Sequence, residues 1–157
     1  MVWSHKSGVE LSGSDVTVEQ LWKVWSNIPL MATYDPDVHR SRTDKGVSPA
    51  PGVPIYITLK SDPNKENMCM ITKWQPPVDG DNITSVALHY DLKVPLGLLS
   101  FQYNANLDKV QNLVTLTVGT EVSGLFGPVY AGLFKNTIIN GCEHMVKSVP
   151  KLASSID

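Results

Sequence analysis

Apolar and polar residues alternate along most of the chain with a period of two, which is the pattern of half-buried β-strands. The first strand is predicted near the N-terminus, where Trp3, His5, Ser7, Val9 and Leu11 share one face. Six further segments are candidate strands, and several are separated by joints rich in Asp, Asn and Pro. These segments are residues 37–43, 54–60, 66–74, 82–92, 98–107 and 112–122. Their spacing predicts an antiparallel meander with one buried face and one wet face.

The same alternation predicts which side chains point inward. The clearest case is the segment 98–107, whose apolar parity includes Phe101 and Tyr103 in its middle. In the segment 66–74 the parity groups Met68, Met70 and Trp74 on one face. We therefore expect Met70, Trp74 and Phe101 to line the interior.

Helical spacing replaces alternation in two places. Thr17 followed by Gln20 is a capping-box pattern, and it precedes an apolar stripe that ends before Pro29. One more helical turn can follow before Pro36. The last thirty residues open with Pro128, a first-turn residue, and then repeat apolar residues at helical spacing. That stripe consists of Tyr130, Phe134, Ile138, Cys142 and Met145.

The predicted order is one strand, two short helices, six strands and one long helix, in a single domain over residues 1–157. This order predicts an α+β fold in which a curved, seven-stranded antiparallel sheet wraps around the long C-terminal helix. Such a sheet cannot cover its own concave face, so the last helix must do so. We expect the space between helix and sheet to be partly empty.

The amino-acid composition argues against several kinds of binding partner, including nucleic acids, membranes and metal ions. The chain is 42% hydrophobic and 18% charged, with a formal net charge of −2. The thirteen Lys and Arg residues are scattered, whereas phosphate binding needs a basic face, so a nucleic-acid partner is not expected. No apolar run approaches the roughly 20 residues of a membrane span. Cys69 and Cys142, the two cysteines, have no metal-binding spacing, which favours a reducing compartment. We therefore expect a cytoplasmic protein, and no metal site.

Three strings resemble the polyketide cyclase/dehydratase branch of the START/Bet v 1 (SRPBCC, helix-grip) superfamily. They are "VWSNIPLMATYDPDV" after the first strand, "ITKWQPP" at a strand end and "TEVSGLFGPVYAGLF" where the last strand meets the long helix. The resemblance covers nearly the whole chain and implies a cavity that holds one hydrophobic small molecule. Some members of this superfamily fold and cyclise poly-β-keto chains, and others only carry lipids or hormones.

Polar residues on inward faces are the candidates for chemistry. The ring of Tyr103 should be buried, so its hydroxyl needs a partner, which is either a ligand oxygen or the backbone. Tyr90 lies on the apolar face of its predicted strand. There it either contacts the ligand or only packs against other apolar side chains. His5 either faces the mouth of the cavity or lies on a frayed terminus.

The string "YDPDVHR" places Tyr34, Asp35, Asp37, His39 and Arg40 where the short helices give way to the second strand. Because His39 and Arg40 are neighbours on a strand, we expect one of them to point inward. The parity of Val38 favours Arg40, which would polarise a carbonyl. An inward His39 would be a general base. The alternative is an exposed, charged corner.

Two functions fit this pattern. The first is a cofactor-independent enzyme of a biosynthetic, polyketide-like pathway that cyclises, dehydrates or isomerises a hydrophobic, oxygenated intermediate. In it, Tyr34, His39, Arg40 and Tyr103 would be catalytic. The second is a carrier for a lipid or another apolar metabolite. In both, the ligand would touch His5, Asp35, Met70, Trp74, Tyr90, Phe101 and Phe134. A homodimer is also conceivable, through the apolar turn 94–99.

Overall fold

The computed structural model describes residues 2–78, 83–94 and 98–156, and it describes side chains in 2–78 and 98–156. The strands are β1 (Trp3–Ser12), β2 (Val38–Thr43), β3 (Pro54–Leu59), β4 (Asp62–Gln75), β5 (Ile83–Val94), β6 (Leu99–Val110) and β7 (Leu113–Ser123). The helices are α1 (Val18–Trp25), a 3-10 turn (Ile28–Leu30), α2 (Met31–Tyr34) and α3 (Gly127–Ser154).

Within the described residues the strands form one antiparallel sheet in the order β1-β7-β6-β5-β4-β3-β2. The connection through α1 and α2 therefore carries the chain from one edge of the sheet to the other. The meander from β2 to β7 follows the predicted order, because each of these strands pairs with the next along the chain.

Local signals explain where the helices begin. Thr17 accepts a hydrogen bond from the backbone N–H of Gln20 at 3.1 Å, and Gln20 Oε1 accepts one from the N–H of Thr17 at 2.9 Å. This is the predicted capping box. Pro128 lies in the first turn of α3, as predicted. The helix continues through Pro150 to Ser154.

Helix α3 packs chiefly against β1, β7 and α1, with further contacts to α2. Its buried residues lie mostly in the C-terminal half and include Cys142, Met145 and Val149. The N-terminal half leaves large apolar side chains in contact with solvent. Val129 is 61% exposed and Leu133 is 74% exposed.

Two β-bulges change the predicted faces. On β2 the register shifts between Val38 and Arg40, so that Val38 and Ser41 are buried while His39 and Arg40 are exposed. A bulge inserts one extra residue, and the parity of the strand changes there. On β4 the shift lies between Ile71 and Lys73.

The predicted α+β fold with a long C-terminal helix is confirmed. None of the helices in the described part of the chain is long and apolar enough to cross a membrane. The turn 94–99, the predicted contact of a homodimer, falls partly on residues 95–97, which lie outside the described residues.

Candidate functional site

The candidate site begins at the corner between α2 and β2. Tyr34 ends α2 and is 2% exposed, and Asp35 is 9% exposed. Asp35 Oδ1 accepts a hydrogen bond from the backbone N–H of Asp37 at 3.0 Å. This bond fixes the turn and orients the carboxyl group of Asp35.

The carboxyl group of Asp35 is electrostatically unusual. Burial raises its pKa to about 6, and the negative charge of Asp37 adds to the rise, whereas the hydrogen bond from Asp37 and the more distant charge of Lys60 oppose it. Burial also raises the pKa of the Tyr34 hydroxyl, and the charge of Asp35 raises it further. Asp35 is therefore a group that can exchange a proton near neutral pH.

The inner face of the sheet supplies the opposite wall. The register places His5 opposite Thr120, and Thr120 opposite Tyr103, in one row across β1, β7 and β6. The Tyr103 hydroxyl donates to Met145 Sδ of α3 at 3.6 Å. Burial raises the pKa of this hydroxyl, and the charges of Tyr34 and Asp35 add to the rise. Tyr103 therefore lies within electrostatic range of the corner.

Cys142 of α3 is 1% exposed. Its Sγ lies 3.7 Å from the Thr120 hydroxyl. Burial raises the pKa of its thiol, the hydrogen bond with Thr120 lowers it, and the charges of Asp35 and Asp37 raise it again. The thiol is therefore protonated at neutral pH and behaves as a small apolar side chain.

Three aromatic rings continue this wall toward the N-terminal end of α3. The centroids of Phe101 and Tyr130 are 4.9 Å apart in an edge arrangement. Those of Tyr130 and Phe134 are 4.6 Å apart. The charge of Asp37 contributes to a raised pKa of the Tyr130 hydroxyl, after burial. Tyr130 therefore lies within electrostatic range of Asp37.

The structure brings together several predicted site residues. Tyr34, Asp35 and Tyr103 lie close enough to perturb one another. Phe101 is half-buried at the aromatic cluster, and Phe134 belongs to that cluster but is 44% exposed.

His5 and Trp74 are placed differently. His5 is half-buried on the inner parity of β1, with Nε2 2.9 Å from Ser7 Oγ. Trp74 lies at the far end of β4, where its ring meets Trp22 of α1 at 4.9 Å between centroids. The side chain of Tyr90 lies outside the described residues.

Other predictions of orientation are wrong. Neither His39 nor Arg40 points inward, since the bulge in β2 turns both outward. Met70 was expected to line the interior, but it is 37% exposed, and the inner positions of β4 are Cys69 and Ile71. Trp74 returns to the inner side only because of the second bulge. Alternation could not reveal either irregularity.

Sequence reasoning missed two residues of the site, Thr120 and Cys142, and one contact, that of Asp37 with α3. Thr120 lies on the same face of β7 as the apolar residues, so its inward position was predictable. A threonine in a strand is nevertheless common and does not by itself indicate a site. Cys142 was interpreted only as part of the apolar stripe. The side chain of Asp37 approaches α3 at Gly141, where a Cβ added to the glycine would lie 3.1 Å from Asp37 Oδ2. No local pattern predicts that contact between distant segments.

A pocket of about 280 Å³ lies between the start of β1 and the first turns of α3. It is lined by Val2, Trp3, Pro128, Ala131, Gly132 and Lys135. None of the predicted site residues lines it. In residues 2–78 and 98–156 no three His, Cys, Asp or Glu side chains come together in a way that could hold a metal ion.

Neither a protein-family model nor a curated protein sequence matches this chain. Solved structures do. A hypothetical protein, jhp0584 from Helicobacter pylori, superposes with a TM-score of 0.74 at 10% identity, covering 96% of this chain and 88% of that one. Norcoclaurine synthase from Thalictrum flavum, in complex with dopamine and hydroxybenzaldehyde, superposes with a TM-score of 0.63 at 12% identity, covering 100% of this chain and 89% of that one.

A START superfamily protein from Mycobacterium smegmatis gives a TM-score of 0.61 at 11% identity, covering 98% of this chain and 99% of that chain. Identities this low carry the fold and not the activity. The polyketide cyclase branch is not among the relationships that these structures establish. The chain therefore shares the helix-grip fold of these structures.

Proposed function

We propose that this protein binds one hydrophobic, oxygen-bearing small molecule between α3 and the inner face of the sheet, and that Asp35 exchanges a proton with it. The resulting enzyme would need no cofactor and would cyclise, dehydrate or isomerise its substrate. The observation that carries this proposal is the buried Asp35 carboxyl, whose pKa is raised to about 6. An acid–base group works best when its pKa lies near the working pH.

The neighbours of Asp35 suit this chemistry. The Tyr103 hydroxyl has a raised pKa, so it stays protonated and can donate to a developing enolate oxygen. Phe101 and Tyr130 supply an apolar wall. Holding a flexible substrate near its attack geometry would contribute most of the rate, up to about 7–11 kcal/mol in favourable cases. An enzyme among the structural neighbours, norcoclaurine synthase, holds small molecules in this fold, which supports a small-molecule site here.

The position of this enzyme in a polyketide-like pathway rests on the resemblance of the three sequence strings alone. Gene context and substrate identification would test that part of the proposal. A homodimer likewise stays a prediction.

A carrier is the second candidate, and the outward orientation of His39 and Arg40 favours it. Without those two side chains, Asp35 is the acid–base group of the cluster whose pKa lies near neutrality. A carrier needs the same apolar wall and no proton exchange. The two candidates therefore differ in what happens to the bound molecule.

The binding site can be tested with Nile red, a neutral fluorophore that brightens in apolar surroundings. Thr120→Phe adds a ring on the inner face of β7, whereas Thr117→Phe adds the same ring to the opposite face of that strand. We expect Thr120→Phe to weaken binding at least tenfold and Thr117→Phe to change it less than twofold. Equal affinities in two folded variants, or no binding by the unmodified protein, would reject the site.

Native mass spectrometry of the protein purified from its own source separates enzyme from carrier. An enzyme with Asp35→Asn should co-purify with unconverted substrate. For a dehydratase that ligand would be one water heavier than the ligand of the unmodified protein. For an isomerase it would have the same mass and a different chromatographic retention. A carrier should retain the same molecule in both forms.

A further inference from the structure

We propose that two copies of this chain pair through the outer edge of β1, antiparallel and about a two-fold axis at Gly8. In this arrangement Lys6 of each copy lies opposite Glu10 of the other, and the two sheets become one continuous sheet. The interface is separate from the turn 94–99, and it does not depend on the proposed ligand.

Strand β1 forms an unbroken edge of the sheet. Among the residues that the structure describes, β7 is the strand that pairs with β1. The register between them runs without a shift from Trp3 to Ser12, whereas the strand at the opposite edge, β2, has a bulge. A regular edge strand presents a row of N–H and C=O groups with which another chain can pair. β1 is therefore the better of the two edges for adding a strand.

The hydrogen bonds of β1 show which of its backbone groups point outward. The N–H of Gly13 donates to the C=O of Asn112 at 2.8 Å, and these two residues continue the register of β1 with β7. Opposite residues of an antiparallel pair alternate between bonded and non-bonded pairs, so the odd-numbered residues of β1 bond to β7. Ser12 fits this alternation, since its C=O accepts from the turn that follows β1. The even-numbered residues therefore direct their N–H and C=O groups to the outer side.

Three of these even-numbered residues, Lys6, Gly8 and Glu10, lie in the middle of the strand. Their outward N–H and C=O groups make no hydrogen bond to any other described residue. The side chains of Lys6 and Glu10 are exposed, and neither has an ion-pair partner in the described part of the chain. The stem of Lys6 lies against Gly119 of β7, and on pairing its ammonium group would turn toward the outer edge.

Symmetry leaves few registers for a second copy of β1. Residues that bond outward must face residues that bond outward, so even-numbered residues face even-numbered residues across the two-fold axis. With the axis at Gly8, two Lys6–Glu10 pairs of opposite charge form across the interface, and such pairs stabilise neighbouring strands. Any other axis within β1 sets the two charges opposite uncharged residues or opposite their own copies. The charges of β1 are thus self-complementary in one register.

Glycine at position 8 fits a place on the axis. The φ angle of Gly8 is not positive, and a Cβ added there would lie 3.5 Å from its nearest neighbour, Leu116 O, which is an ordinary contact. The fold of one copy therefore does not require glycine here, although glycine inside a strand costs stability. Glycine within a strand often marks the close approach of another backbone. Pairing at Gly8 and at the two Lys6–Glu10 pairs would form about six backbone hydrogen bonds.

Reversal of the charges tests the interface by sedimentation velocity. A strand pair buries less than the roughly 1,200 Å² of a stable interface, so we expect a dimer that forms as the concentration rises from about 10 to 500 µM. Lys6→Glu and Glu10→Lys each set like charges opposite one another and should weaken dimerisation at least tenfold. The double variant should dimerise like the unmodified protein. An equimolar mixture of the two single variants should form a heterodimer, because one then carries two acidic and the other two basic side chains.

A matched pair of reversals and a residue-level measurement serve as controls. Glu143→Lys and Lys147→Glu have the same spacing and the same changes in net charge, at exposed positions of α3, and should leave dimerisation unchanged. Amide hydrogen exchange reports the edge directly. The N–H groups of Gly8 and Glu10 should exchange more slowly in concentrated than in dilute solution, whereas that of Val9, which bonds to β7, should be protected in both.

Several outcomes would overturn the proposal. One is a protein that stays monomeric at every concentration. Another is a dimer that persists in both Lys6→Glu and Glu10→Lys, because the copies would then meet through another surface. If Leu133→Asp, in the exposed apolar part of α3, abolishes the dimer while the two reversals do not, the second copy docks on α3 and the β1 interface is rejected. None of these results bears on the binding of Nile red, which tests the proposed function.

Discussion

Ionisation of the buried Asp35 carboxyl destabilises the folded state, and replacing the carboxyl with an amide should remove that cost. Its carboxyl is 9% exposed, and burial raises its pKa from 3.8 to about 6. A carboxyl whose pKa is higher in the folded state contributes stability that is complete below pH 3.8 and is lost as the pH rises through about 6. By linkage the loss amounts to roughly 3 kcal/mol.

We therefore expect Asp35→Asn to raise the free energy of unfolding at about pH 7.5 by roughly 1–3 kcal/mol, since the amide avoids the cost of a buried charge. Near pH 4 the variant and the unmodified protein should differ little. Urea denaturation at both pH values measures this. Asp108→Asn, at an exposed position of β6, is the control and should show no such difference. A destabilised Asp35→Asn protein at pH 7.5 would mean that the ionised carboxylate has a partner.

For single residues, the alternation of apolar and polar positions predicted side-chain orientation correctly where the strand is regular. Tyr103 was placed on the inner face because it alternates with four apolar residues in β6, Leu99, Phe101, Ala105 and Leu107, and it lies there. His39 and Arg40 were misplaced because a bulge depends on how β2 meets β3, and that information is not in β2 itself. The raised pKa of Asp35 depends on burial by distant segments, so the string "YDPDVHR" alone could not give it.

At the scale of elements, two glycines of α3 make a matched pair. A Cβ at Gly132 would meet no atom within 4 Å, whereas one at Gly141 would lie 3.1 Å from Asp37 Oδ2. Gly132→Ala should stabilise the protein by about 0.5–1 kcal/mol, because alanine loses less backbone entropy in a helix. Gly141→Ala should gain less than half of that or lose stability, since Asp37 must move.

Chemical denaturation of both variants checks this prediction. Equal gains would show that the carboxylate of Asp37 does not rest against α3.

The elements themselves were largely predictable. The capping box at Thr17, Pro128 at the start of α3 and the period of two in β6 and β7 are local signals, and each gave the right element. Helix α3 continues through Pro150 to Ser154, although a proline inside a helix removes one backbone hydrogen bond. The packing of α3 against β7 and α1 evidently outweighs the lost hydrogen bond there.

The whole molecule keeps its two thiols out of solvent. Cys69 is 2% exposed and Cys142 is 1% exposed, and neither forms a disulfide in the part of the chain that the structure describes. An aromatic disulfide reagent should therefore modify them only when the fold opens, on the order of a thousandfold more slowly than in urea. Absorbance of the released thiolate measures both rates, and Cys69→Ala and Cys142→Ala assign them. Rapid reaction of Cys142 in the native protein would mean that large solutes enter beside α3 without unfolding.

The fold as a whole followed from one argument, that a long apolar helix must cover a sheet with a buried face. The contents of the space beneath that helix did not follow, because they depend on how side chains of four or five elements converge.

The bulge in β2 has a consequence beyond the interior. β2 is the last strand in the sheet order, so among the residues that the structure describes no further strand pairs with its outer side. A border strand that is interrupted by a bulge and carries exposed His39 and Arg40 is a poor template for pairing with a second sheet. The irregularity that turns His39 and Arg40 away from the interior should thereby also disfavour edge-to-edge aggregation.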